Sequence, residues 1–157
     1  MRKILLTGMS GTGKSAALAE LEKRGFAVVD TDYGGWTEWS NAEGGYVWRE
    51  DRMRELLARE QGPTLYISGT VSNQGRFYRQ FDAVVLLSAP AEVLLRRIAT
   101  RSTNDYGKSS GDRGLIMRQL VEVEPILRAT CTHEIDATQP IDVVVRELVS
   151  IGDDSGD

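Results

Sequence analysis

One cysteine, Cys131, and one histidine, His133, are all that the 157-residue chain has of either type. The lone cysteine excludes an internal disulfide and a cysteine-based zinc cluster, and the histidine, in an expected strand with no evident partner, suggests no metal site. Long apolar runs are also missing. The longest, such as Ala83-Val84-Val85-Leu86-Leu87, fall far short of a membrane span, and the apolar stretch after Met1-Arg2-Lys3 is too short for a signal peptide. Basic charge is not in excess. The net charge of −4, from 19 basic and 23 acidic side chains, argues against a general nucleic-acid binder. Asp153, Asp154 and Asp157 supply three of the four negatives, so the rest of the chain is nearly neutral. A content of 41% hydrophobic and 27% charged residues excludes disordered and collagen-like classes. The length suits one domain. The expectation is a cytoplasmic protein, a monomer or weak homodimer, with no nucleic-acid and no membrane partner.

Strands are expected at 3–7, 26–29, 64–68, 83–87 and 132–135. Helices are expected at 15–24, 47–60, 91–101, 112–129 and 141–150, with a short one near 73–80 and Pro125 bending or ending its helix. Residues 33–46 read as irregular, 102–111 as a polar loop, and 151–157 as a flexible acidic tail. Alternation of strands with helices predicts an α/β fold: a five-stranded parallel sheet with helices on both faces. Such sheets bind ligands beyond the carboxyl ends of their strands.

The first strand runs into Gly8-Met9-Ser10-Gly11-Thr12-Gly13-Lys14-Ser15, which fits G-x-x-x-x-G-K-[ST] at every fixed position. Glycines let the backbone curl so that successive N–H groups face one anion, and the following helix adds its positive end. Gly8, Ser10, Gly11, Thr12, Gly13, Lys14, Ser15 and Ala16 are therefore the candidate nucleotide contacts. Lys14 is placed to reach the β- and γ-phosphates of ATP, and Ser15 to ligate Mg²⁺. A dinucleotide fingerprint is excluded, because the glycines are spaced G-x-x-G-x-G.

Neither the third strand, ending Tyr66-Ile67-Ser68-Gly69, nor the fourth, ending Leu86-Leu87-Ser88, supplies the Asp that large ATPases and switch GTPases use for Mg²⁺, and no Asn-Lys-x-Asp is present. The carboxylates follow the second strand, as Asp30-Thr31-Asp32. Spaced two apart in an extended chain, they share a side, so one can neutralise a metal while the other orients a nucleophile. An Asx turn capping the strand is the other reading. Leu95-Arg96-Arg97-Ile98-Ala99-Thr100-Arg101 puts Arg97 and Arg101 on one helical face, suited to ring stacking and bidentate phosphate contact or to a solvated surface.

With the phosphate loop, these stretches resemble the small P-loop metabolite kinases, the shikimate kinase and adenylate kinase-like (nucleoside and nucleotide kinase) group. The D-T-D resembles the shikimate kinase branch, and L-x-R-I-x-x-R the stretch before the lid of adenylate-kinase-like enzymes. The resemblance implies a three-layer P-loop NTPase fold with a short lid over 102–114, within one kinase domain spanning 1–150. It implies Asp30 near Mg²⁺, Asp32 at the acceptor hydroxyl, Arg97 on adenine, and Arg101 at the moving phosphate. Lys108 and Arg113 would be the lid cations, and Ala137, Thr138 and Gln139 the loop beside adenine. It also implies an acceptor-binding segment over about 33–60. There, Trp36 belongs to a cluster of aromatics able to stack on a planar ring or to form a local core. Arg49 is the first choice to grip the acceptor, with Arg52 and Arg54 behind it. After the third strand, Ser68-Gly69-Thr70 replaces the Gly-rich turn of shikimate kinase, and Gly69 and Thr70 are further acceptor candidates.

The function so implied is an ATP- and Mg²⁺-dependent phosphotransferase acting on a small-molecule acceptor: a nucleoside, nucleotide or ring metabolite. An ATP-binding regulator without transferase activity is the alternative.

Overall fold

The computed structural model describes residues 2–59, 62–100 and 110–153. In chain order its elements are β1 (Lys3–Thr7), α1 (Lys14–Lys23), β2 (Ala27–Asp30), β3 (Thr37–Ser40), β4 (Gly45–Trp48), α2 (Glu50–Leu57) and β5 (Leu65–Ser68). A 3₁₀ helix (Gln74–Gln80) follows, then β6 (Ala83–Ser88), α3 (Ala91–Thr100), α4 (Ser110–Glu122), α5 (Glu124–Thr130), β7 (His133–Asp136) and α6 (Ile141–Asp153).

Five strands form one sheet in the order β2-β5-β1-β6-β7, and every neighbouring pair is parallel. Strand β1 is buried along its whole length, as a central strand covered on both faces must be. Alternation divides its side chains between two cores. Ile4 and Leu6 pack with Ala17, Leu18 and Leu21 of α1 and with Val144, Val145 and Leu148 of α6. Leu5 goes to the other face, with Met53, Leu56 and Leu57 of α2 and with Phe77 and Phe81. This is the three-layer α/β fold expected from the sequence. It sets the phosphate loop, the D-T-D turn, Ser68-Gly69-Thr70 and the 136–139 loop along one edge.

Four expectations are corrected. The segment read as irregular holds an antiparallel hairpin, in which Thr37 pairs with Trp48 and Ser40 with Gly45. Val47 and Trp48, expected to open a helix, end β4 instead, and α2 begins only at Glu50. Trp48 is held there because its backbone N–H donates to Asn73 Oδ1 at 3.0 Å and its indole is fully buried. The expected helix over 112–129 divides at Val123, and Pro125 sits in the first turn of α5, where its missing N–H is harmless.

The fourth correction concerns the expected tail. Residues 151–153 continue α6, and Gly152 is buried against the Tyr66 hydroxyl, where a Cβ would collide. That hydroxyl donates to Leu148 O at 2.9 Å, and the ring packs edge-on against Phe26. Burial, with Asp153 nearby, pushes the Tyr66 phenol up to about 12. The unfolded chain ionises near 10, so this contribution to stability is complete below pH 10 and is lost as pH rises through 12. Tyr66→Phe is expected to cost about 1 kcal/mol at pH 7 and to flatten the loss between pH 10 and 12. Urea unfolding of both proteins across that range measures the difference.

Candidate active site

The phosphate loop is shaped by glycines that no other residue replaces cheaply. Gly8 has φ +151°, and a Cβ there would stand 2.5 Å from Leu87 O. Gly11 and Gly13 hold φ +88° and +90°, so the chain turns twice before α1 begins. No side chain caps α1, leaving its first amides available to an anion. The Thr12 side chain is buried and donates to Met9 O at 2.9 Å, fastening the loop from within. Lys14 Nζ donates to Gly8 O at 2.6 Å and to Met9 O at 3.3 Å. Burial lowers its ammonium pKa to about 8, against the opposing pull of Asp32 and Asp30.

The D-T-D turn leaves the sheet at the end of β2. Asp30 accepts from Ser15 Oγ at 2.7 Å and from the Asp32 backbone N–H at 3.1 Å. The first bond joins the two side chains assigned to a metal, and the second has the Asx-turn geometry, so both sequence readings of Asp30 meet here. A hydroxyl beside a carboxylate is a donor set that fits Mg²⁺. Between the carboxylates, Thr31 is buried and donates to Ser68 O at 2.7 Å. Asp32 is exposed to the cleft, and its pKa is raised by partial burial and by Asp30, with Lys14 opposing.

Lys14 and Asp32 line one cleft of about 900 Å³. Gly8, Met9 and Ser10 join Lys14 on its floor, while Thr70, Val71 and Ser72 form one side. The hairpin forms another, through Thr37, Glu43, Gly45 and Tyr46, and Gln119, Val123 and Leu127 of α4 and α5 complete it. Of these wall residues, the sequence pointed to Thr70 as an acceptor contact and to Tyr46 as one of the aromatics able to stack, while Thr37, Glu43 and Gly45 were not singled out within the expected acceptor segment. The missed signal was a hairpin one: β-branched and aromatic residues on either side of Glu43-Gly44-Gly45.

Several expected acceptor contacts face elsewhere. Trp36 is half-buried beneath the Arg52 guanidinium, 4.0 Å from its ring centre. Arg52 also donates to Gly34 O and Gly35 O at 2.9 and 2.7 Å. Arg49 donates to Thr37 O at 3.3 Å and pairs with Glu38 at 3.7 Å. Arg54 pairs with Glu50 and Asp51 on its own helix. These groups brace the hairpin and α2 and do not line the cleft. Gly69 is buried, and a Cβ there would collide with Thr31 Oγ1 and crowd Trp48. Thr70 both borders the cleft and clasps the phosphate loop, donating to Gly8 O at 2.6 Å.

Around the expected adenine position, Arg97 spans from α3 to two elements. Its guanidinium donates to Gly11 O at 3.3 Å and to Ala137 O at 2.6 Å. Thr138 donates through its backbone N–H and its hydroxyl to Asp136 Oδ1, which lowers the Asp136 pKa, and Gln139 Nε2 donates to Asp136 O. Ala137 is buried. Arg101 and Lys108 lie outside the described residues. Of the expected lid, 110–114 form the start of α4, where Arg113 is exposed and does not line the cleft. Among the described residues, no helix is long and apolar enough to cross a membrane.

A family model described as AAA domain, AAA_18, matches residues 4–118. A comparison with curated proteins finds no match. Solved structures share the fold at low identity. A shikimate kinase from Acinetobacter baumannii in complex with shikimate is 20% identical, with TM-score 0.69 over 96% of this chain and 92% of that one. A gluconokinase from Sinorhizobium meliloti 1021 is 22% identical, with TM-score 0.65 over 96% and 91%. A deoxyadenosine kinase from M. mycoides with bound dATP is 14% identical, with TM-score 0.60 over 96% and 98%.

Proposed function

The chain belongs to the AAA_18 family of AAA domains, and we propose that it is an ATP- and Mg²⁺-dependent kinase of a small molecule. The observation that carries the reading is the meeting of Lys14 and Asp32 across one cleft, beside the uncapped start of α1. The amides of the 8–16 loop hold the β- and γ-phosphates of ATP, and Lys14 exchanges its two loop carbonyls for phosphate oxygens. Arg97 and the 137–139 loop flank the base. Ser15 and Asp30 would hold Mg²⁺, which would supply neutralisation of phosphate charge.

Asp32 accepts a hydrogen bond from the acceptor hydroxyl and turns its oxygen toward the γ-phosphorus. A bond forms between that oxygen and phosphorus, the bond to the bridging oxygen of ADP breaks, and the hydroxyl proton passes to Asp32 or to water. Positioning and charge stabilisation supply the rate, and Lys14 is the cation already in place for it. Arg101 belongs to this reading as a cation at the moving phosphate, and Lys108 and Arg113 as the cations of a closing lid that excludes water.

An ADP-release assay with Mg²⁺-ATP across nucleosides, nucleotides, sugars and hydroxy acids tests the proposal. Strong stimulation by one acceptor class, abolished by EDTA, is the expected result. Tight ATP binding with no acceptor-dependent ADP would leave a binding protein in place of a kinase. Arg97→Ala is expected to raise the ATP dissociation constant roughly tenfold, about 1.4 kcal/mol, and to leave the acceptor KM unchanged. Calorimetric titration and initial rates measure the two quantities.

A further inference from the structure

The charge that faces the cleft has one predominant sign. Among the described residues lining it, Lys14 is the one cation, and the phosphates of ATP claim it in the reading above. The other charged groups on the lining are Asp32 and Glu43. Glu43 stands at the hairpin turn, exposed, and no cation among the described residues pairs with its carboxylate. The nearby arginines are committed elsewhere: Arg49 to Glu38 and Thr37 O, Arg52 to Gly34 O, Gly35 O and Trp36, and Arg76 to Glu50 at 2.8 Å.

The rest of the lining is hydrogen-bonding or apolar. Thr37, Ser72 and Gln119 offer neutral polar groups, while Val71, Val123 and Leu127 offer hydrocarbon. Tyr46 adds an aromatic ring, 64% exposed and propped edge-on by Trp39 at 5.4 Å between centroids. Among the described residues lining the cleft, a carboxylate or phosphate on an acceptor would meet two like charges and no opposite one beyond Lys14. A hydroxyl or ammonium group would meet acceptors for its protons.

We propose that the acceptor is an alcohol without an anionic group, uncharged or amine-bearing, and that Glu43 selects it by accepting a hydrogen bond while Tyr46 covers its apolar face. This narrows the proposed phosphotransferase function and rests on it. Nucleosides and amino sugars fit the description, whereas nucleoside monophosphates and sugar acids do not. The selection is negative as well as positive, since the same carboxylate that attracts a donor repels an anion.

The test uses the full chain with Mg²⁺-ATP and matched probes: thymidine and adenosine against their 5′-monophosphates, and glucosamine against gluconate and shikimate. ADP release is the readout. At least one neutral or amine-bearing probe is expected to exceed its anionic counterpart tenfold or more in kcat/KM. Glu43→Lys is expected to reverse the order, raising kcat/KM for the anionic member at least tenfold and lowering it for the other. Anionic probes preferred by the wild-type chain would overturn this inference and leave the kinase reading standing. So would a preference that Glu43→Lys does not move. No stimulation by any probe, with ATP still bound by calorimetry, would count against the kinase reading itself and remove this inference with it.

Discussion

Lys14→Met lowers phosphoryl transfer about a thousandfold, the scale of removing one pre-positioned charge from a transition state. The methionine keeps most of the side chain's length and volume, so the loss tests the ammonium and not the packing. A second signature separates this effect from simple unfolding. The native ammonium titrates near 8 and the unfolded one near 10.5, so between those values the unfolded chain binds the extra proton. Stability of the nucleotide-free wild type therefore rises as pH goes from 8 to 10.5, by an amount on the order of 2 kcal/mol. In Lys14→Met that rise disappears. Rates at pH 7.5 and denaturant unfolding at pH 7.5 and 10 measure both effects. A variant with full turnover would remove Lys14 from the mechanism.

Trp48→Ala is expected to cost about 3–5 kcal/mol, a large part of the stability of a typical small domain. The indole is fully buried and lies against Phe77 and Phe81 at 5.8 and 6.5 Å between ring centres. Its Nε1 donates to Thr31 Oγ1 at 2.9 Å. Trp48→Phe keeps most of the packing and removes that bond, with an expected cost of about 1–3 kcal/mol. Urea midpoints give both values. If Trp48→Ala unfolded within 1 kcal/mol of the wild type, roughly the cost of an average substitution, the ring would not be the centre of this core.

The two variants mark the limits of what the chain reveals before folding. The phosphate loop was legible because its chemistry demands glycine, lysine and a hydroxyl at fixed spacing, between a strand and a helix. The sheet was legible because runs such as Ala83–Leu87 can only be buried. The hairpin was not, because its strands show little apolar alternation: Glu38, Trp39 and Tyr46 are exposed. The aromatic-rich segment combined two roles that composition alone could not separate. Trp48 is core, Trp36 supports Arg52, and Tyr46 faces the cleft. Arginine identity was equally silent about pairing, since Arg49 and Arg52 are engaged by Glu38 and by hairpin carbonyls distant in sequence. Gly152 read as tail because nothing nearby in sequence revealed that Tyr66 would reach it.

Thr31 sits between the two carboxylates of the turn, and its hydroxyl oxygen receives the indole of a residue that ends the hairpin. The wall that meets a visiting molecule and the groups that would handle its proton thus hang from one shared strut. Drift in the hairpin sequence can retune preference only while that tether survives, so altered selectivity and altered turnover should arrive together.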